Sequence, residues 1–352
     1  MVKLFGQEIV KDLADKKEIV MNSKEIPMVQ NRKSSLPKVY GDTPSFLGCP
    51  VLNSQDINKG YDFIFAGVPW EGTVTWGSYS GCEFGPRAIR HAAARYGGYL
   101  PEYDVDLFDS IAIADAGDIV VDPNNPEATM GSVYRMAKKV YSAGSLPIFV
   151  GGDHSFAPEV VRALGETVNG KIGILHFDSH MDNQKVFGDD IYPRCGPLHR
   201  IAQIENVKTD SIVHLAIRGP RNSPSQVQYA KSLGSRIITI REIRDRGIDS
   251  VIEEAITIAS KGTEHIYVTI CSDCMDAAFN PGGPADFNGL FPNELFSALL
   301  RLGKHGISGL DFAEIYPTQD PNSVSSHLAS WAIIHALVGS AIRKSHQTKI
   351  PG

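Results

Sequence analysis

The sequence predicts an α/β protein: a three-layer α/β/α fold around a central parallel sheet of about eight strands. Three observations carry this reading. From Tyr61 onward, short runs that are β-branched and apolar on both faces recur along the chain, as strands covered on both sides require. Longer amphipathic stretches alternate with those runs, the pattern of crossover helices between parallel strands. The chemically unusual residues cluster just after three of the runs, at the carboxyl ends where open α/β sheets bind their ligands.

The expected strands are DFIFAGV (62–68), IAIAD (111–115), LPIFV (146–150), KIGILHF (171–177), SIVHLAI (211–217), RIITI (236–240), HIYVTI (265–270) and GISGLDF (306–312). Between them lie helical patterns at 84–98, ending at a Gly pair, and at 126–144, 158–168, 250–262, 292–306 and 324–344. Residues 1–45 are polar and read as an N-terminal extension or arm, leaving 46–352 as one domain.

Composition narrows the function classes. The chain has 352 residues, 42% hydrophobic and 21% charged, with a net charge of −6. That balance suits a globular domain with a sizeable core. It disfavours nucleic acid or an anionic membrane as partner, because no long basic run is present. No run of 18 or more apolar residues suggests a membrane span, and the charged start lacks an apolar signal core. A cytoplasmic location is therefore expected. The five cysteines (Cys49, Cys82, Cys195, Cys271 and Cys274) follow no disulfide framework. Cys271 and Cys274 form a C-x-x-C pair, but neither a helix N-terminus nor a second Cys pair supports a redox or zinc role.

Three strand ends carry acidic residues and histidines together. GGDHS supplies Asp153 and His154; DSHMD supplies Asp178, His180 and Asp182; CSDCMD supplies Asp273 and Asp276. In an extended DSHMD the period-2 spacing puts its three polar side chains on one side. A single Asp at a strand end is commonly a helix N-cap, and a lone His is commonly a core residue. Three such clusters at three strand ends point instead to a site for divalent ions.

Several stretches resemble the ureohydrolase family of arginases, agmatinases, and guanidine and metformin hydrolases. VPWEGTVTWGSYSGCEFGPRAIR (68–90) resembles the agmatinase-type loop, and IADAGD (113–118) resembles a D-x-G-D segment. GGDHS, DSHMD and the D-x-x-D-x-x-F-x-P-G run from Asp273 resemble the three metal signatures; GLDFAEIYPTQDP (309–321) resembles the late acidic segment. The resemblance covers roughly residues 60 to 340. It implies two divalent ions, nickel or manganese, one held by His154, Asp178 and Asp182 and the other by Asp178, His180 and Asp273. It implies Glu314 as the carboxylate that receives a small cationic guanidino substrate, with Asp182 and His199 as further catalytic candidates. Cys195 and Trp76 are candidate substrate contacts. It also implies a trimer or hexamer, homo-oligomeric or mixed with a related subunit.

Two positions depart from the family pattern. Cys271 stands where a second bridging aspartate is expected, and is either a ligand or a small buried hydrophobe. Cys195-Gly196 stands where a His-Gly pair is expected, with His199 four residues beyond. The sequence therefore leaves two readings: an active hydrolase with an altered centre, or a subunit that keeps the fold and assembles with an active paralogue.

Overall fold

Alternation within each strand decides which layer a side chain serves. The computed structural model describes residues 44–53, 56–57, 60–73 and 80–348; the expected arm therefore lies almost wholly outside the described residues. Eight strands form one sheet: β1 (Phe63–Val68), β2 (Ile113–Asp118), β3 (Leu146–Gly151), β4 (Ile172–Phe177), β5 (Val207–Ile217), β6 (Arg236–Thr239), β7 (His265–Cys271) and β8 (Leu310–Ala313). Their spatial order is β2-β1-β3-β8-β7-β4-β5-β6, and every pairing is parallel.

In β1, Phe63 and Phe65 join one apolar core while Ile64, Ala66 and Val68 join another. In β3, Ile148 and Val150 oppose Phe149 in the same way. This is the period-2 consequence of strand geometry. The first core is closed by helices α1 (Gly85–Ala93), α4 (Ile248–Ala259), α5 (Pro292–His305) and α6 (Val324–Thr348); the second is closed by α2 (Pro126–Ser142) and α3 (Ala157–Thr167). The three layers follow. Helices α2, α3 and α5 each place a proline in their first two positions, where its missing N–H costs no intrahelical bond. Helix α6 is long and apolar enough to span a bilayer, but its apolar faces are buried against α5 and α1.

Some boundaries differ from expectation. The first helix stops at Ala93, and the chain turns into a two-stranded hairpin at Tyr99–Leu100 and Val105–Asp106. Strand β8 starts only at Leu310. A short helix, Pro224–Ser232, fills the interval between β5 and β6, capped by reciprocal bonds between Ser223 and Gln226.

Candidate active site

Four adjacent central strands, β3, β8, β7 and β4, deliver the polar groups. β3 and β4 are consecutive in sequence, yet β8 and β7 are inserted between them. Four carboxyl ends therefore meet around one crevice, the location expected for a ligand in an open α/β sheet. Gly152, just beyond β3, is essential to this arrangement: a Cβ there would lie 1.8 Å from the Trp70 carbonyl oxygen. Asp153 then caps the following turn, its Oδ1 accepting from the Ser155 N–H at 2.9 Å, while its Oδ2 accepts the Gly72 N–H at 2.6 Å. His154 projects into the crevice.

The donor atoms fall into two groups joined by Asp178. His154 Nδ1 lies 3.5 Å from Asp178 Oδ2 and 3.3 Å from Asp182 Oδ2. His180 Nδ1 lies 3.4 Å from Asp178 Oδ1 and 3.0 Å from Asp273 Oδ2. Each oxygen of Asp178 thus serves one group. His154 Nδ1 is fully buried and makes no hydrogen bond, a costly state for a ring nitrogen unless a cation takes the lone pair. The set is carboxylate and imidazole, suited to manganese or nickel. These residues fit a pair of divalent ions. Cys271 and Asp273 also place a ligand atom each within 4.8 Å of Asp178, so the Cys271 sulfur faces the same space.

Outer groups fix the rings. His154 Nε2 is 2.7 Å from Thr269 Oγ1, and Thr269 donates in turn to Asp311 at 2.9 Å. Tyr267 also donates to Asp311, at 2.7 Å. Since Asp311 only accepts, the Thr269 hydroxyl accepts a hydrogen bond from His154 Nε2–H, so that once His154 is neutral its lone pair is on Nδ1. His180 Nε2 faces Asp286 Oδ2 at 3.0 Å, which orients that ring in the same manner. His176 Nε2 donates to Asp178 at 3.0 Å, and its Nδ1 meets His214 Nδ1 at 3.0 Å. Such outer contacts tune ligand basicity and orientation. Thr269→Val is expected to weaken divalent-ion binding on the His154 side by roughly 10–100-fold, read by calorimetric titration; unchanged affinity would remove Thr269 from this role.

Electrostatics follow the geometry. Burial would push His154 and His180 down, but the facing carboxylates outweigh it and hold both well above the usual histidine range. Burial acts upward on Asp178, yet its three histidine neighbours keep it well below the usual carboxylate range. Asp182, buried and repelled by Asp178, is pushed up to about 7. Burial, followed by the charges of Asp178 and Asp273, pushes the Cys271 thiol well up. Both Asp182 (φ 42°) and Glu314 (φ 67°) adopt left-handed backbone, a strained state worth roughly 1–3 kcal/mol each that commonly marks functional positions.

His180, Asp182, Arg194, Cys195, Cys271, Asp273, Pro284 and Glu314 line a narrow cavity of about 10 Å³. Glu314 Oε1 accepts the His154 backbone N–H at 2.8 Å, and Oε2 accepts the Tyr316 hydroxyl. Burial raises Glu314 to about 6 despite the neighbouring Arg194. Arg194 Nη1 lies 3.6 Å from Glu314 Oε2. The expected residues His154, Asp178, His180, Asp182, Cys271, Asp273, Cys195 and Glu314 therefore meet here.

His199 does not: its ring packs on Tyr229 with centroids 5.2 Å apart. The reason is local, since His199 sits on the short helix Pro197–Ile201, whose buried Leu198 and Ile201 occupy the inward face. This corrects its expected catalytic placement. Trp76 lies outside the described residues. Sequence reasoning missed Thr269, Asp311, Asp286, His176 and Arg194. Asp311 stands inside the late acidic segment GLDFAEIYPTQDP, Arg194 beside Cys195, and Asp286 two residues past the Pro-Gly-Gly-Pro run at 281–284, so each of these had a nearby signal.

The chain's residues 61–339 match the model of the Arginase family. The guanidinopropionase of Pseudomonas aeruginosa is 30% identical over 82% of this chain and 88% of its own length. The solved structure of proclavaminate amidino hydrolase from Streptomyces clavuligerus superposes with a TM-score of 0.79 at 26% identity, covering 87% of this chain and 99% of that one. A Trypanosoma cruzi formiminoglutamase structure titled as containing Mn²⁺ has the same fold, with a TM-score of 0.77 at 23% identity, covering 86% of this chain and 100% of that one.

Proposed function

This chain belongs to the arginase family, and from that premise we propose that it is a metal-dependent hydrolase of a guanidino or biguanide compound. Water adds across the amidine carbon, a carbon–nitrogen bond breaks, and urea or a substituted urea leaves with an amine. The observation that carries this reading is the buried, unbonded Nδ1 of His154, facing two carboxylates while Asp178 reaches across to His180 and Asp273.

His154, Asp178 and Asp182 would hold one ion; Asp178, His180 and Asp273 would hold the other. When bound, such a pair makes a water nucleophilic at neutral pH and draws electron density from the substrate. The chain's residues supply the remainder. Asp182, in the cavity wall, takes a proton from the attacking water and returns it to the departing nitrogen. Glu314, anchored by the His154 N–H and Tyr316, presents a carboxylate suited to a planar cation. The resemblance of the 68–90 stretch to the agmatinase-type loop favours a substrate without an α-carboxylate, of the agmatine, guanidine or metformin kind. The test is to load the purified protein with Mn²⁺ or Ni²⁺, count ions per chain, and screen guanidino compounds for urea and amine. A fully loaded protein that releases neither from any of them ends this reading.

A second reading is favoured by Cys271 and by the Arg194–Glu314 contact: a non-catalytic subunit that assembles with an active relative. A single sulfur in place of a two-oxygen carboxylate weakens bridging between ions. Activity that appears only after a second related chain is added would select this reading.

Metal binding is expected to depend on pH with a definite sign. His154 and His180 are held above their usual range in the metal-free pocket, so they carry protons that an ion must displace. Affinity therefore falls as pH drops below those raised values, by about tenfold per pH unit for each proton released. Titrations at several pH values, with proton release read in buffers of different ionisation enthalpy, check this. Affinity independent of pH would contradict it.

A further inference from the structure

The most unusual resident of the cavity is the chain's own guanidinium. Arg194 is 3% exposed and donates from all three nitrogens of its guanidinium. Nε donates to the Thr73 carbonyl at 3.1 Å and Nη1 to the Tyr316 hydroxyl at 2.6 Å. Nη2 reaches Glu71 Oε1 at 3.1 Å and the Gly72 carbonyl at 3.4 Å. Glu314 and Asp153 complete a three-carboxylate surround at 3.6 and 3.7 Å. The same side chain lines the cavity with His180, Asp182 and Asp273.

A buried guanidinium needs matched acceptors on every edge, because its desolvation is otherwise uncompensated. Glu314, the carboxylate assigned to an incoming amidinium cation, stands among them at 3.6 Å. Glu314 illustrates the competition: Oε1 is taken by His154 N–H and Oε2 by Tyr316, with Arg194 beside it. Like charge also opposes a second guanidinium next to the first.

We propose that Arg194 is a tethered occupant of the guanidinium position, so that a free guanidino ligand reaches Glu314 only by displacing it. The inference rests on the hydrolase reading for the role of Glu314. It makes Arg194 a specificity-determining residue: ligands must bind strongly enough to expel it. A fold held mostly in the Arg194-filled state lowers apparent affinity in proportion to the open fraction.

The test compares the wild type with Arg194→Ala and Arg194→Gln. Guanidinium chloride and a singly alkylated guanidine are titrated by calorimetry and thermal shift, with sodium chloride and urea as controls. The expected result is saturable binding of one cation per chain, about tenfold or more tighter in the variants than in the wild type. Both cations should bind, since the truncated Arg194 stem leaves room for a short alkyl tail, and Glu314→Gln in the Arg194→Ala background should abolish it. Equal binding in wild type and variants, no binding in the variants, or binding of bare guanidinium alone would overturn the proposal; the last would mean a sealed structural hole. Failure of both variants to fold even with guanidinium present would also overturn it, because a pre-shaped position is refillable. Urea release by metal-loaded wild type is scored separately: its absence ends the hydrolase reading and leaves the binding result standing.

Discussion

Replacing Cys271 by aspartate is expected to tighten divalent-ion binding and, at the same time, to destabilise the metal-free protein. Cys271 ends β7, is 3% exposed, and faces Asp178, Asp273, Glu314 and Asp182. A thiol among those carboxylates is stable because it stays neutral; burial and the surrounding charge push its ionisation well up. An aspartate there adds a fifth carboxylate to the same space. Without ions it costs about 3 kcal/mol, the usual scale for a buried, unpaired charge. With ions present, two oxygens replace one sulfur and can serve two positions. At an ion concentration of about 1,000 times the dissociation constant each bound ion returns about 4.1 kcal/mol, so two ions outweigh that cost where the wild type binds too weakly to gain as much. The measurable signature is a crossing: the variant melts below the wild type in chelator and above it in Mn²⁺, with two ions per chain by elemental analysis. If the variant holds no more Mn²⁺ than the wild type, Cys271 is not what limits the centre.

Asp178→Asn is expected to abolish ion binding at both positions together. The two oxygens of Asp178 face different histidines, His154 and His180. Asparagine can still accept the His180 backbone N–H, which Oδ1 receives at 2.6 Å. Its NH₂ would confront the His176 Nε2–H that now donates to Oδ2 at 3.0 Å, a donor against a donor. The lost charge also leaves His154 and His180 with less to balance them. Affinity should fall at both positions by well over about a hundredfold, beyond the range seen for outer contacts. Removing one partner from such a buried network costs roughly 3–5 kcal/mol of stability. Selective loss of one ion would show that Asp178 serves a single position. Asp182→Asn provides the contrast, since the histidine in ion-pair range of Asp182 is His154, at 3.3 Å.

The layer architecture was legible because strand and helix periodicities differ and each strand here is apolar on both faces. HIYVTI and KIGILHF read as covered strands and form β7 and β4. The Pro224–Ser232 helix was missed although Ser223 and Gln226 form a capping pair; its few apolar residues bury only Ala230, so no periodic stripe announced it. The end of α1 at Ala93 was overrun because Ala94, Arg95 and Tyr96 are good continuations, and only the turn toward the hairpin stops them.

The chain order of residues determines which side chains stand at strand tips, because a two-residue period and a strand end are local facts. That much set His154, Asp178, His180, Asp182, Cys271 and Asp273 as one class of residue, and marked Cys271 and Cys195 as departures. Tertiary structure alone decided who faces whom. Inserting β8 and β7 between β3 and β4 brings Thr269 and Asp311 behind His154, Asp286 behind His180, and Arg194 onto Glu314. Those partners are 115, 106 and 120 residues apart for the first, third and fourth contacts by position number. No local periodicity records such distances, because strand order is set by the packing of whole layers.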